Sequence, residues 1–112
     1  MRSGLPVQFV YNDVPATLPP ELRLCLFRVV QETLQNAAKY SDASEVSVEL
    51  TCANGHLTLT VADDGVGFDV EKAWGKGLGL ISIRERVEAS GGTVTVESGP
   101  SLGTRFTIRV PV

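Results

Sequence analysis

The chain has 112 residues, of which 43% are apolar and 21% charged, and its formal net charge is −3. This length suits one domain, so we expect residues 1–112 to form a single unit with one core. No apolar run approaches the roughly 20 residues that cross a membrane, and the slightly acidic charge argues against a protein that holds nucleic acid through its phosphates.

The first part of the chain predicts a strand followed by a long helix. The strand is predicted over residues 5–11 at an edge of the sheet, because Pro6 would interrupt a central strand. The helix is predicted over residues 21–39, after two prolines that suit a first helical turn. Its core-facing positions, spaced three or four residues apart, are predicted to be Leu26, Val30, Leu34 and Ala37.

Two hairpins and a second helix are predicted in the rest of the chain. The elements are, in order, strands over residues 46–50 and 57–61, a helix over 78–90, and strands over 93–97 and 104–110. The pair Asn54-Gly55 predicts a tight turn between the first two strands, because both positions require a positive φ. Alternating strands with two amphipathic helices predict an α+β fold, a two-layer α/β sandwich whose sheet is mixed and mostly antiparallel, with the helices on one face.

Glycines are concentrated between the third predicted strand and the second helix. Five of the eleven lie between Asp63 and Leu80, which suggests backbone that adopts positive φ or closely approaches a ligand. The P-loop motif does not fit, because no Gly-Lys pair is followed by Ser or Thr. The dinucleotide motif GxGxxG does not fit either, because no Gly-x-Gly pair has a third glycine three positions on.

Three short motifs in a fixed order account for the glycines better. They are Glu32-x-x-x-Asn36-x-x-Lys39 on the first helix, Asp63-x-Gly65-x-Gly67 after a strand, and Gly75-x-Gly77-x-Gly79 before the second helix. With them the chain, from Pro19 to Val112, resembles the ATP-binding catalytic domain of bacterial sensor histidine kinases, in the superfamily of DNA gyrase, Hsp90 and MutL. The resemblance implies the Bergerat-type ATP-binding fold, with ATP and Mg²⁺ as cofactors.

Chemistry and resemblance together suggest roles for the polar residues. A carboxylate such as Asp63 accepts a hydrogen bond from the adenine amine and disfavours the carbonyl of guanine; the resemblance implies the same role, with a water-mediated contact from Thr104. It also implies that Asn36 ligates magnesium and faces the triphosphate, that Lys39 contacts phosphate, and that the catalytic residue Glu32 either acts as a base or orders metal-bound water.

The glycine segment itself supplies the remaining predicted contacts. Gly65 and Gly67 let the backbone approach the base, and residues 68–74 are predicted to form a short lid in which Phe68 and Trp74 suit hydrophobic packing as well as nucleotide contact. Backbone N–H groups before the second helix are predicted to bind the phosphates. The residues of this phosphate loop are Gly75, Lys76, Gly77, Leu78, Gly79 and Leu80.

Ordinary structural roles compete with several of these assignments. Asp63 also suits a strand-ending turn, and the stripe of polar residues on the first helix also suits a solvated flank. His56, beside the predicted tight turn, is expected to be a surface histidine and not a phosphoacceptor.

The function implied by the resemblance is that of a protein histidine kinase domain, which donates the γ-phosphoryl group to a histidine on a separate dimerisation domain. No acceptor hairpin precedes Pro19, so the chain resembles an excised catalytic domain that we do not expect to autophosphorylate alone. The expected partners are ATP, the phosphoacceptor and dimerisation helices of the parent kinase, and a response regulator, without nucleic acid or membrane contact. The expected location is the cytoplasm, with membrane anchoring of the parent left open.

Within the family, the branch paired with helix-turn-helix response regulators is favoured. Its marks are Gln31-Glu32, the short spacer between the glycine motifs, Arg84-Glu85-Arg86-Val87 and Gly103-Thr104. Tyr40 departs from this branch, in which histidine usually follows the lysine. Two alternatives are a serine kinase of the anti-sigma-factor type, which shares the motifs but acts on a partner protein, and a non-catalytic nucleotide-binding module.

Overall fold

A computed structural model describes residues 7–12, 17–40, 44–66, 80–98 and 103–112, with the backbone alone for residues 36–40. Its elements are β1 (Val7–Asn12), α1 (Pro20–Tyr40), β2 (Val46–Ala53), β3 (His56–Asp63), α2 (Leu80–Ala89), β4 (Thr93–Ser98) and β5 (Thr104–Pro111). Each predicted strand and helix is present, with ends within a few residues of the prediction. The predicted first turn of the second helix, before Leu80, lies outside the described residues.

Within the described residues the five strands form one sheet in the order β1-β2-β3-β5-β4. β1 pairs in parallel with β2, and the other three neighbouring pairs are antiparallel. The mixed, mostly antiparallel sheet and the edge position of β1 therefore confirm the prediction. Asn54 and Gly55 join β2 to β3 with φ of 54° and 76°, the positive values that this tight turn requires.

The core lies between the helices and one face of the sheet. Strand residues that face it alternate with polar ones, and the buried members are Val46, Val48, Leu57, Leu59, Val61, Phe106, Ile108 and Val110. α2 contributes Leu80, Ile83 and Val87. Ser47, Glu49 and Arg105 are exposed on the opposite face of the sheet, which confirms the two-layer α/β sandwich.

The buried side of α1 differs in part from the prediction. Its buried residues are Leu22, Cys25, Leu26, Val29 and Thr33. Val30 and Leu34 are only half-buried at its margin, and the side chain of Ala37 lies outside the described part. Thr33 is buried although it is polar, because its hydroxyl donates to the carbonyl of Val29 at 2.9 Å and the helix backbone satisfies it.

The two described helices cross the sheet in opposite directions. α1 connects the parallel neighbours β1 and β2, so it runs back against both. α2 connects β3 to β4, which are parallel to each other because each is antiparallel to β5. Since β2 and β3 are antiparallel, α1 and α2 are antiparallel as well. The end of α1 and the start of α2 therefore meet at one edge of the sheet, where β3 ends at Asp63; we call it the Asp63 edge.

Candidate nucleotide-binding site

Four residues form a row across the Asp63 edge. In the strand register Asp63 lies between Val46 of β2 and Thr104 of β5, and Thr104 in turn lies beside Ser98 of β4. All four side chains point to the helix-covered face, because each shares the alternation of the core residues on its own strand. Asp63 is half-buried and Thr104 is buried. Strand pairing thus brings together the two residues predicted to read the base.

The carboxylate of Asp63 forms a turn with the residues that follow it. Its Oδ1 accepts a hydrogen bond from the backbone N–H of Gly65 at 2.8 Å. This is the strand-ending turn that competed with base reading in the sequence. An ionised carboxylate has about four acceptor positions, so one N–H bond leaves capacity for a ligand amine. The two roles are therefore compatible.

Gly103 allows β5 to begin close against the end of β3. Its φ is +73°, and a Cβ added there would lie 2.3 Å from the carbonyl oxygen of Asp63. A contact that short excludes any side chain. In the sequence, Gly103 served only as a mark of the family branch. Its structural role depends on the pairing of β3 with β5, which local sequence does not reveal.

Ser98 is a second residue of the site that sequence reasoning missed. Its Oγ donates to the carbonyl oxygen of Gly103 at 2.9 Å and lies 2.9 Å from Oγ1 of Thr104. Ser98 therefore connects the end of β4 to both residues at the start of β5.

Asp64 holds the chain after α1 against the end of β3. Its Oδ1 accepts from the backbone N–H of Ser44 at 2.9 Å and of Glu45 at 3.0 Å. Its Oδ2 accepts from the Ser44 hydroxyl. The Asp64 N–H donates in return to the carbonyl of Glu45 at 3.4 Å. The neighbouring carboxylates thus differ in their surroundings: Asp63 faces the helix layer, and Asp64 fixes an exposed loop.

These bonds make stability depend on pH. The hydrogen bond from the Ser44 side chain, with the one from the Glu45 backbone, lowers the pKa of Asp64 below its ordinary value. A carboxyl whose folded pKa is depressed stabilises the fold above its unfolded pKa, and this contribution is lost as the pH falls through the folded pKa. We expect the free energy of unfolding to fall, as the pH drops below about 5, more steeply in the wild type than in Asp64→Ala.

Urea denaturation across this pH range measures the effect. Glu45→Gln is the matched control, because Glu45 contributes only its backbone N–H and carbonyl to the same cluster. The pH profile of this variant should be as steep as that of the wild type. Parallel pH profiles for the wild type and Asp64→Ala would contradict the assignment.

The flank of α1 that faces α2 carries the predicted polar stripe. The Cys25 thiol donates to the carbonyl of Arg86 on α2 at 3.5 Å. Glu32 lies two turns after Cys25 on the same flank, roughly 10 Å nearer the Asp63 edge, and is half-buried. Asn36 and Lys39 continue this line along the helix backbone, although their side chains lie outside the described part.

The phosphate loop is described only at its two ends. Gly67, Gly75, Lys76, Gly77, Leu78 and Gly79 lie outside the described residues, as do Phe68 and Trp74. Leu80 begins α2 with its side chain in the core, 2% exposed. Any phosphate contact of Leu80 would therefore be made by its backbone N–H.

His56 lies at the opposite end of β3 from Asp63. Its Nδ1 is 3.2 Å from the carbonyl oxygen of Asn54. Asp63 lies seven positions further along the extended strand, at a distance of roughly 23 Å.

The mixed five-stranded sheet, covered on one face by α1 and α2, has the architecture of a two-layer ATPase domain. Residues 22–112 match the family of histidine kinase-, DNA gyrase B- and HSP90-like ATPases, and the chain belongs to this family. The family predicted from the three motifs is thus confirmed.

Sequence similarity to individual proteins supports the same family assignment. The chain is 37% identical to the signal transduction histidine-protein kinase/phosphatase DegS of Bacillus subtilis over 98 residues, which are 85% of this chain and 26% of DegS. It is 30% identical to the sensor protein VraS of Staphylococcus epidermidis over 112 residues, which are 100% of this chain and 32% of VraS. The chain thus spans about a quarter to a third of the length of these curated relatives.

A solved structure agrees as well. The ATP-binding domain of PrrB from Mycobacterium tuberculosis is 25% identical and superposes with a TM-score of 0.72, covering 98% of this chain and 82% of that domain. The chain is therefore homologous to the ATP-binding domains of sensor histidine kinases. Among the described helices, none is both long and apolar enough to cross a membrane.

Proposed function

We propose that this chain is the catalytic ATP-binding domain of a two-component sensor histidine kinase. It binds Mg-ATP and donates the γ-phosphoryl group to a histidine on a separate dimerisation domain. The observation that carries the proposal is the row at the Asp63 edge, where Asp63 and Thr104 lie side by side on the face covered by α1 and α2. Membership in the ATPase family and similarity to DegS and VraS support it.

The row provides the subsite for the base. The Asp63 carboxylate accepts from the exocyclic amine of adenine, and the Gly65 N–H that it already binds holds it in place. Thr104 adds a hydroxyl beside it, and Val46 adds an apolar wall. Gly65 and Gly67 let the backbone approach the ring.

The ends of the helices provide the subsite for the triphosphate. The N-terminus of α2 and the N–H groups of residues 75–80 bind phosphate oxygens, and Lys39 adds a positive charge. Because α1 and α2 are antiparallel, the stripe that contains Glu32 reaches this subsite along the facing flank.

The donor set of α1 fits magnesium. An amide oxygen from Asn36 and a nearby carboxylate from Glu32 are hard oxygen donors, which Mg²⁺ prefers while it keeps several waters. When bound, Mg²⁺ would neutralise negative charge on the phosphate oxygens. Glu32 orders the water around this position, or accepts a proton there.

Phosphoryl transfer needs the acceptor histidine of another domain. The bond from the γ-phosphorus to its bridging oxygen breaks, a bond to the histidine nitrogen forms, and ADP leaves. This chain contributes by holding the γ-phosphoryl group in line with that nitrogen. Its further partners are the dimerisation helices and a response regulator, and its setting is the cytoplasm.

Isothermal titration calorimetry and labelled ATP test this function. Folded wild-type protein should bind ATP with Mg²⁺ and much more weakly with EDTA, and Asn36→Ala should bind Mg-ATP about tenfold more weakly. Label from γ-labelled ATP should appear on the cognate acceptor hairpin when it is added, and not on the isolated chain.

Gln35→Ala is the matched control for Asn36→Ala, because Gln35 lines the other flank of α1 with Val30 and Leu34. It should bind as the wild type does. If titration of folded wild-type protein with Mg-ATP released or absorbed no heat of binding, the proposed function would be refuted. Labelled phosphate on His56 would refute the need for a separate acceptor.

A further inference from the structure

The hydroxyl of Thr104 has its proton committed to a neighbour. The carbonyl oxygen of Gly103 can only accept, so the Ser98 hydroxyl, 2.9 Å away, donates its single proton to it. Ser98 Oγ also lies 2.9 Å from Thr104 Oγ1. With the Ser98 proton already used, Thr104 must be the donor in this second bond. The hydrogen bonds therefore run in one direction, from Thr104 to Ser98 to Gly103.

This direction determines what Thr104 can offer to a ligand. Its oxygen retains lone pairs but presents no proton to the space beside Asp63. Thr104 is 4% exposed, and turning its proton away from Ser98 would break a partly buried hydrogen bond. Asp63, its partner in the strand register, is also an acceptor when ionised. Two acceptors thus stand side by side at the Asp63 edge.

We propose that Ser98 is a positioning residue that sets selectivity for adenine over guanine. The inference rests on the proposed function, since it concerns the base of the nucleotide bound there. Ser98 acts through Thr104, by fixing the Thr104 hydroxyl as an acceptor next to the carboxylate of Asp63.

Guanine differs from adenine at the position that this pair reads. The adenine amine donates to an acceptor, whereas guanine has a carbonyl oxygen there, which would face two acceptors and no donor. A water molecule between the pair and the base gives the same result. It donates one proton to Asp63 and one to Thr104, and presents its lone pairs to the base.

Loss of the Ser98 hydroxyl should relax this selectivity. In Ser98→Ala the Thr104 hydroxyl can turn its proton toward the base and donate to the guanine carbonyl, directly or through water. Asp63 still favours adenine, so we expect selectivity to weaken and not to invert.

Competition calorimetry with Mg-ATP and Mg-GTP tests the inference. The wild type should prefer ATP, and in Ser98→Ala the ratio of the two affinities should narrow by about tenfold, the effect of one exchanged hydrogen bond. Ser98→Thr keeps a hydroxyl on the strand and should keep the wild-type ratio. Ser47→Ala, at an exposed position on the other face of β2, controls for the loss of a serine hydroxyl from the sheet.

The outcomes separate the inference from the proposed function. An unchanged ratio in folded Ser98→Ala that still binds ATP would overturn the role of Ser98 alone. An equal loss of affinity for both nucleotides would also overturn it, since it would mark a purely structural residue. A folded wild type that binds neither nucleotide would refute the proposed function.

Discussion

Asp63→Asn should greatly weaken ATP binding and leave the protein folded. The Gly65 N–H bonds to Oδ1 of Asp63 at 2.8 Å, and asparagine can keep this bond with its side-chain oxygen. Its amide NH₂ would then take the place of the second carboxylate oxygen. The adenine amine would meet a donor in place of an acceptor, so the substitution reverses the polarity of the contact without removing the turn.

The expected loss is about 3 kcal/mol, or roughly a hundredfold in affinity, since a charge-assisted hydrogen bond is replaced by an unfavourable pair of donors. Calorimetry with Mg-ATP measures it, and thermal denaturation confirms the fold. Glu49→Gln, exposed on the other face of β2, removes a carboxylate from the same sheet and should bind as the wild type does. Affinity of Asp63→Asn within about threefold of wild type would exclude Asp63 as the residue that reads adenine.

Gly103→Ala should be among the most destabilising single-methyl additions in the protein. The alanine Cβ would lie 2.3 Å from the Asp63 carbonyl oxygen, and φ at this position is +73°. Strain at positive φ costs about 1–2 kcal/mol, and relief of the overlap adds about 1–3 kcal/mol. Because the clash falls on Asp63 itself, ATP affinity should decrease together with stability.

Gly55→Ala is a matched control for this substitution. Gly55 has φ of +76°, and a Cβ added there would have no atom within 4 Å. It should therefore lose only the backbone contribution, about 1–2 kcal/mol, and keep ATP affinity. Urea denaturation compares the two variants, and equal losses of stability would show that the close approach to Asp63 carries no cost.

The sequence predicted the fold well because apolar and polar residues alternate in the central strands. β3 and β5 bury every second residue, and β2 does so at Val46 and Val48, so apolar periodicity coincides with burial there. α1 was harder to predict, because Val30 at its margin is as apolar as the buried Val29. Thr33 reaches the core because its hydroxyl bonds to the backbone of its own helix, which hydropathy does not register.

Site residues could be predicted where a local pattern sets their direction, and not where their contacts join distant parts of the chain. Asp63 shares the alternation of Leu59 and Val61, so its direction toward the helices follows from the strand pattern. The hydrogen bonds of Asp64 to residues 44 and 45 join parts of the chain that β2 and β3 separate in the sequence. Local sequence does not contain such a contact.

Ser98 and Gly103 were missed for the same reason. Ser98-Gly99-Pro100-Ser101-Leu102-Gly103 resembles a plain loop. The link from Ser98 to Thr104 appears only once β4 and β5 pair. The roles of Asn36, Lys39 and the phosphate loop were derived from the family resemblance, and they stay predictions.

The tight turn at Asn54-Gly55 gives experimenters a place to attach a probe. Ala53, just before this turn, is exposed and pairs with His56, at the end of the sheet opposite the proposed nucleotide site. A dye attached to Ala53→Cys would lie there, roughly 23 Å along the sheet from Asp63 and away from the proposed base and phosphate subsites. Of the native thiols Cys25 is buried and Cys52 is half-buried, so the new thiol should label first. From this fixed reference point, energy transfer to a fluorescent nucleotide would report the depth at which it binds.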